Sequence, residues 1–188
     1  MIKDTTPRGY TLIELIVSVA IFSIVMLVAG AAFLALINLD RQARATNDVV
    51  TNLSYVVDSM ARSIRTGTAY RCSGTGDCWS STSAGTQLTF TDASGRSVTY
   101  RRIVAGAKGS VQECITGTDG TTCMALTDPR INVERLDFYV RGTATKRAGD
   151  ATQPTVVFTL RGSVAPDARS APVTFVIESG ATQRLIDL

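Results

Sequence analysis

Residues 15–39, LIVSVAIFSIVMLVAGAAFLALINL, form 25 consecutive positions without a charge. As an α-helix rising about 1.5 Å per residue, the run is about 37 Å long, against roughly 30 Å for the hydrocarbon core of a bilayer. It can therefore span a membrane with some tilt. A cleaved secretory signal has a shorter apolar core, about 7–15 residues, closed by a small-residue A-x-A site. This run is too long and no such motif follows it. At its border stands Glu14, a carboxylate whose presence beside a membrane-length run calls for an explanation.

The helical signal does not stop at residue 39. Val49, Leu53, Val56, Val57, Met60 and Ile64 recur at helical spacing, with Asp48, Asn52, Asp58 and Arg62 on the opposite side. No proline lies between Pro7 and Pro129, and Gly67 offers a C-terminal stop. The pattern predicts one helix over about 10–66, apolar all round in its first half and one-sided in its second. Gly30 is its sole interior glycine and its expected weak point.

After residue 67 the chain breaks into short β-rich runs punctuated by Gly, Ser, Thr, Asp and Pro. QLTFTD and RSVTYRRI flank ASG, a hairpin pattern with Gly95 in the turn. VQECI, RLDFYV, TVVFTLRGSV and PVTFVIES are further strand candidates. In three of these one parity is apolar: Leu136, Phe138 and Val140; Val156, Phe158 and Leu160; Val173, Phe175 and Ile177. Such alternation describes a sheet with one buried face, and the helical stripe is its natural cover. Pro154 and Pro172 fall just before strands, where a missing N–H costs little. The expected fold is α+β: a long N-terminal helix, transmembrane in its first half and amphipathic in its second, packed on a small antiparallel β-sheet head.

Composition narrows the function. The net charge of +3 is scattered, with pairs at Arg101-Arg102 and Lys146-Arg147, and no basic stripe for nucleic acid. Histidine is absent, which removes the commonest general base and metal ligand. No enzyme activity, metal or other cofactor is expected. Cys72, Cys78, Cys114 and Cys123 lie in CSGTGDC and CITGTDGTTC, neither of which has C-x-x-C spacing. Two short-range disulfides in an oxidising compartment fit these polar loops, Cys72–Cys78 and Cys114–Cys123 being the simplest pairing of three. Four free thiols in a cytosolic protein is the competing reading. Lys3 and Arg8 are balanced by Arg41 and Arg44, so positive-inside counting leaves the orientation nearly tied. Bonded cysteines would break the tie, placing everything after residue 39 outside the cytoplasm.

The segment RGYTLIELIVSVAIF closely resembles the N-terminal motif of type IV prepilins and type II secretion pseudopilins. The resemblance covers about residues 8–39. It implies cleavage by a prepilin peptidase between Gly9 and Tyr10, N-methylation of Tyr10, and pairing of Glu14 with the terminal amine of a neighbouring subunit. Tyr10 stands where the family most often has phenylalanine. Gly30-Ala31-Ala32 stands where major pilins often carry a proline. The amphipathic helix, the segments NVERLDFYV and QPTVVFTLRG, and FVIESGATQR are similar to minor pilins and to minor pseudopilins of the J or W type.

The implied organisation is a cytoplasmic leader at 1–9, a transmembrane and assembly half at 10–39, an amphipathic half at 40–67 and an extracytoplasmic head at 68–188. The implied protein is a minor pilin or pseudopilin that starts or caps a type IV pilus or secretion pseudopilus. Its partners would be the peptidase, other subunits, the inner-membrane assembly platform and, before assembly, lipid. It would begin as a single-pass inner-membrane protein and end in a periplasmic or cell-surface filament. An alternative within the same resemblance is a tip subunit for adhesion or DNA uptake, although no basic patch or aromatic platform argues for direct contact with DNA.

Several residues have plainer readings. Glu14 can be a charge snorkelling at a membrane edge. The loop CITGTDGTTC holds one carboxylate, Asp119, far from what a calcium site needs, and reads as a disulfide-closed turn. Trp79 is either an exposed contact residue or packed on a disulfide or sheet edge. Glu134 and Asp137 read as ordinary strand charges.

Overall fold

The computed structural model describes residues 9–74, 76–80, 82, 84–144, 152–164 and 172–184. Most of the leader, Lys146-Arg147 and the last four residues lie outside these. The chain divides into two compact units, Met1–Arg44 and Ala45–Leu188. Helix α1, Leu12–Thr66, runs through both as 55 residues. It begins two positions later than the periodicity predicts, because Thr11 occupies the cap rather than the first turn.

In the second unit, α1 buries the stripe read from the sequence: Val49, Leu53, Val56, Val57, Met60 and Ile64. These side chains join one core cluster with Leu88, Phe90, Tyr100, Phe138, Phe158 and Leu160. Full burial of an aliphatic side chain contributes about 1.5–3 kcal/mol, so this face holds the helix to the head. Asp48, Asp58 and Arg62 are exposed, whereas Asn52 turns partly inward and its carboxamide oxygen accepts from the Asp128 N–H at 3.1 Å.

α1 ends at Gly67, but not through a left-handed glycine cap. The nearby left-handed residue is Ala69, at φ 55°. Gly67 is required by proximity: a Cβ there would lie 2.4 Å from the Phe90 ring. The helix end therefore comes within ring-contact distance of the sheet.

Eight strands follow among the described residues: β1 (Thr68–Cys72), β2 (Gln87–Thr91), β3 (Ser97–Ala105), β4 (Lys108–Gly117), β5 (Gly120–Ala125), β6 (Ile131–Arg141), β7 (Thr155–Val164) and β8 (Val173–Thr182). They form two antiparallel sheets, ordered β1-β2-β3-β4-β5 and β6-β7-β8, rather than the single sheet expected. Side chains tie the two together. The Arg102 guanidinium donates to the Val133 carbonyl at 2.6 Å, and the Gly109 N–H donates to the Asn132 carboxamide at 2.8 Å. The predicted β2–β3 hairpin is present, with Gly95 at φ 77° and the Asp92 carboxylate accepting from the N–H groups of Ser94 and Arg96.

The apolar parity of β6 and β7 faces the core, and Phe138 packs on Phe158 with ring centroids 6.3 Å apart. On β8 the same parity is only half-covered: Phe175 and Ile177 pack at the margin of the core and Val173 is exposed. Among the described residues β8 pairs with β7 alone, which leaves it at the edge of its sheet. CITGTDGTTC is part of the β4–β5 hairpin rather than a loop, with Cys114 directly opposite Cys123.

Candidate functional site

The first unit carries the N-terminal site. Gly9 and Tyr10 precede the helix and are exposed. Thr11 caps α1: its hydroxyl accepts from the Glu14 N–H at 3.4 Å, and its carbonyl accepts from the N–H groups of Glu14 and Leu15. Thr-x-x-Glu is the spacing of a capping box, of which the threonine half is present. Glu14 also sits in the first turn, where the helix dipole favours a negative charge. Neither role pairs its carboxylate, which has no salt-bridge partner among the described residues.

Beyond Glu14 the helix is apolar on every side. Leu15, Ile16, Phe22, Ile24, Leu27, Phe33, Leu34 and Leu36 are all exposed. The hydroxyls within this stretch are satisfied internally, Ser18 donating to the Glu14 carbonyl at 2.7 Å and Ser23 to the Val19 carbonyl at 2.8 Å. A helix that answers its own polar groups and presents only hydrocarbon suits lipid or the packed helices of an assembly. It is long and apolar enough to cross a membrane.

The head carries the cysteines. Cys72 is bonded to Cys78 and Cys114 to Cys123. The first pair is buried in the core, and the second clamps neighbouring strands. Cys78 also bridges to Val140 on β6, its N–H donating to the Val140 carbonyl at 2.8 Å, and Gly85 bridges to Phe138. The segment joining β1 to β2 thus runs along the free edge of β6. Asp77 fastens it there, accepting from the Gly142 N–H, the Thr143 N–H and the Thr143 hydroxyl at 3.1, 2.9 and 2.7 Å. Burial disfavours the Asp77 charge, but these three donors outweigh it and hold the carboxyl below its usual range.

This clamp fixes Trp79, which is half exposed, with the Arg141 guanidinium 4.6 Å from its ring centre. Both plain readings of Trp79 are present together: it sits at a sheet edge beside a disulfide and still meets solvent. Asp137 is a buried ion-pair partner of Arg135, and Glu134 lies 3.6 Å from Arg161. No cluster of His, Cys, Asp or Glu suited to a metal occurs among the described residues.

The family model for the prokaryotic N-terminal methylation motif matches residues 6–30, which include Gly9, Tyr10 and Glu14. No curated protein and no solved structure matches the chain. A methylation motif opening a long apolar helix, with a disulfide-bonded antiparallel head after it, supports a type IV pilin-like reading. The chain carries the signal of the type IV prepilin and pseudopilin family, whose members are structural subunits processed by prepilin peptidase.

Proposed function

We propose that this protein is a minor pilin or pseudopilin that enters a type IV pilus or type II secretion pseudopilus at its initiation or tip. Prepilin peptidase cuts between Gly9 and Tyr10, the new amine on Tyr10 is methylated, and the helix then packs against those of other subunits. Before assembly, residues 10–39 anchor the chain in the inner membrane, with the leader cytoplasmic and residues 68–188 outside. The assembly platform extracts it from lipid into the filament.

The observation that carries this reading is the unpaired Glu14 carboxylate, in the first turn of a helix that is otherwise exposed hydrocarbon. A carboxylate within the bilayer costs on the order of 3 kcal/mol on insertion scales. Pairing with the amine of an incoming subunit relieves that cost and sets the axial register between neighbours. Glu14→Ala and Glu14→Val are expected to insert and be cleaved normally but to be lost from sheared filaments. Mass spectrometry of the mature chain is expected to find methylated Tyr10 at its start. A retained leader, or wild-type incorporation of both Glu14 variants, would overturn the proposal.

A further inference from the structure

The outer face of the β6-β7-β8 sheet holds a feature separate from the N-terminal helix. The bridge between Cys78 and Val140 sets Trp79 beside Tyr139, and Tyr139 pairs in register with Val157 and then Gly180. The next row is Asp137, Thr159 and Glu178. Gly180 adds no side chain to the first row, and an open cavity of about 340 Å³ remains, lined by Trp79, Tyr139, Val157, Thr159 and Glu178. Trp79 is 44% exposed there although it is clamped from behind by a disulfide, a ladder bond and the Asp77 contacts. Arg141 over the indole stiffens it further.

We propose that this cavity binds a neutral saccharide. Its aromatic side chains offer flat apolar surface to the C–H face of a sugar ring. Glu178 lines the cavity with a planar carboxylate of the geometry that takes adjacent hydroxyls two at a time, Thr159 adds a hydroxyl, and Arg141 lies over the indole outside this lining. The charges select against other ligands. Glu178 in the lining and Arg141 over the indole bring one charge of each sign, so the site has no net charge to draw an ion. Asp137 adds no free charge, being paired with Arg135. What remains favoured is an uncharged, hydroxyl-rich ring.

The larger cavity of the head, about 780 Å³ between the β2–β3 and β4–β5 turns, lacks this chemistry. It has no aromatic wall, and its Arg96 is held by Asp92 at 2.8 Å.

Trp79 is the chain's one tryptophan, so its fluorescence reports on this cavity alone. The full chain, in a zwitterionic detergent free of sugar headgroups, is titrated with maltotriose, cellotriose and triacetylchitotriose, and with sialyllactose, choline and a decaproline peptide as controls. At least one neutral trisaccharide is expected to give a saturable change that the controls do not. Glu178→Ala, at an exposed position, is expected to weaken that binding about tenfold with unchanged circular dichroism. Trp79→Phe, followed by calorimetry, is expected to weaken it as well. No saturable response to any neutral trisaccharide, full retention in Glu178→Ala, or tighter binding of a charged probe or of decaproline would overturn the proposal. Filament incorporation is a separate readout, so a failed saccharide site leaves the assembly reading intact.

Discussion

The Tyr70 hydroxyl lies 2.6 Å from the Ile64 carbonyl and 2.7 Å from that of Gly67, so a buried donor on the first strand joins the Gly67 N–H on Ile64 and the Arg184 N–H on Arg65 in serving the helix end. The last carbonyls of a helix lack intrahelical partners and must find others. Tyr70→Phe leaves the packing in place and removes the donor. It is expected to destabilise the head by roughly 1–3 kcal/mol, measured by chemical denaturation of the detergent-solubilised chain. Burial also pushes the Tyr70 phenol well above its usual range. Its contribution is thus present below the unfolded value near 10 and is lost as pH rises through the folded one, so an alkaline limb is expected that Tyr70→Phe reduces.

The contact between Gly67 and Phe90 gives a second test. A methyl at residue 67 would meet the ring at 2.4 Å, and the ring is held between Tyr70 and Tyr100, whose centroids lie 5.9 and 5.8 Å away. Gly67→Ala is expected to cost about 1–3 kcal/mol despite alanine's better helix propensity. Gly67→Ala combined with Phe90→Leu is expected to lose less than the two changes summed.

On the acid side, three carboxyls among the described residues are held below their ordinary value. At Asp77 and Asp92 burial opposes ionisation, and hydrogen bonds from Thr143 and Gly142, and from Arg96 and Ser94, overcome it. At Asp128 the Arg130 side chain is the leading cause. A depressed carboxyl gives stability that is present above the unfolded value and lost as pH falls through the folded one. The unfolding midpoint of the head is therefore expected to hold from neutrality to about pH 5 and to fall below about pH 4, less steeply in Asp77→Asn.

The two disulfides are expected to differ in weight. They close loops of similar length, six and nine residues of separation, so the loss of chain entropy is similar. Cys72 and Cys78 are core residues, whereas Cys123 is exposed. Replacing Cys72 and Cys78 with serine buries two hydroxyls and releases the segment that holds Trp79. That pair is expected to lower the thermal midpoint more than serine at Cys114 and Cys123, and to shift the emission of Trp79.

What the sequence reveals divides along the range of the interactions. The helical stripe from Val49 to Ile64 is legible because burial repeats with the period of the backbone itself, and the inward parity of β6 and β7 for the same reason. β5 is not legible: all six of its residues are exposed, so no alternation marks it. The division into two sheets is also hidden, since alternation says which way a side chain points but not which strand lies beside it. Phe175 and Ile177 on β8 have the inward parity without full burial, a matter of edge position rather than of residue type. At the N-terminus Gly9, Tyr10 and Glu14 are legible as a compact motif, while the capping by Thr11 is a geometric fact. Trp79 stands out as an isolated aromatic, yet Tyr139, Val157 and Glu178 reach it only through the register of three strands.

Both sheets list their strands in chain order, and each disulfide joins cysteines that are consecutive along the chain. No strand has to wait for a later one to be inserted between it and its neighbour. A chain emerging helix first can therefore lay each strand against the one before it and oxidise each cysteine with the next to appear, so the order of arrival itself selects the native pairs.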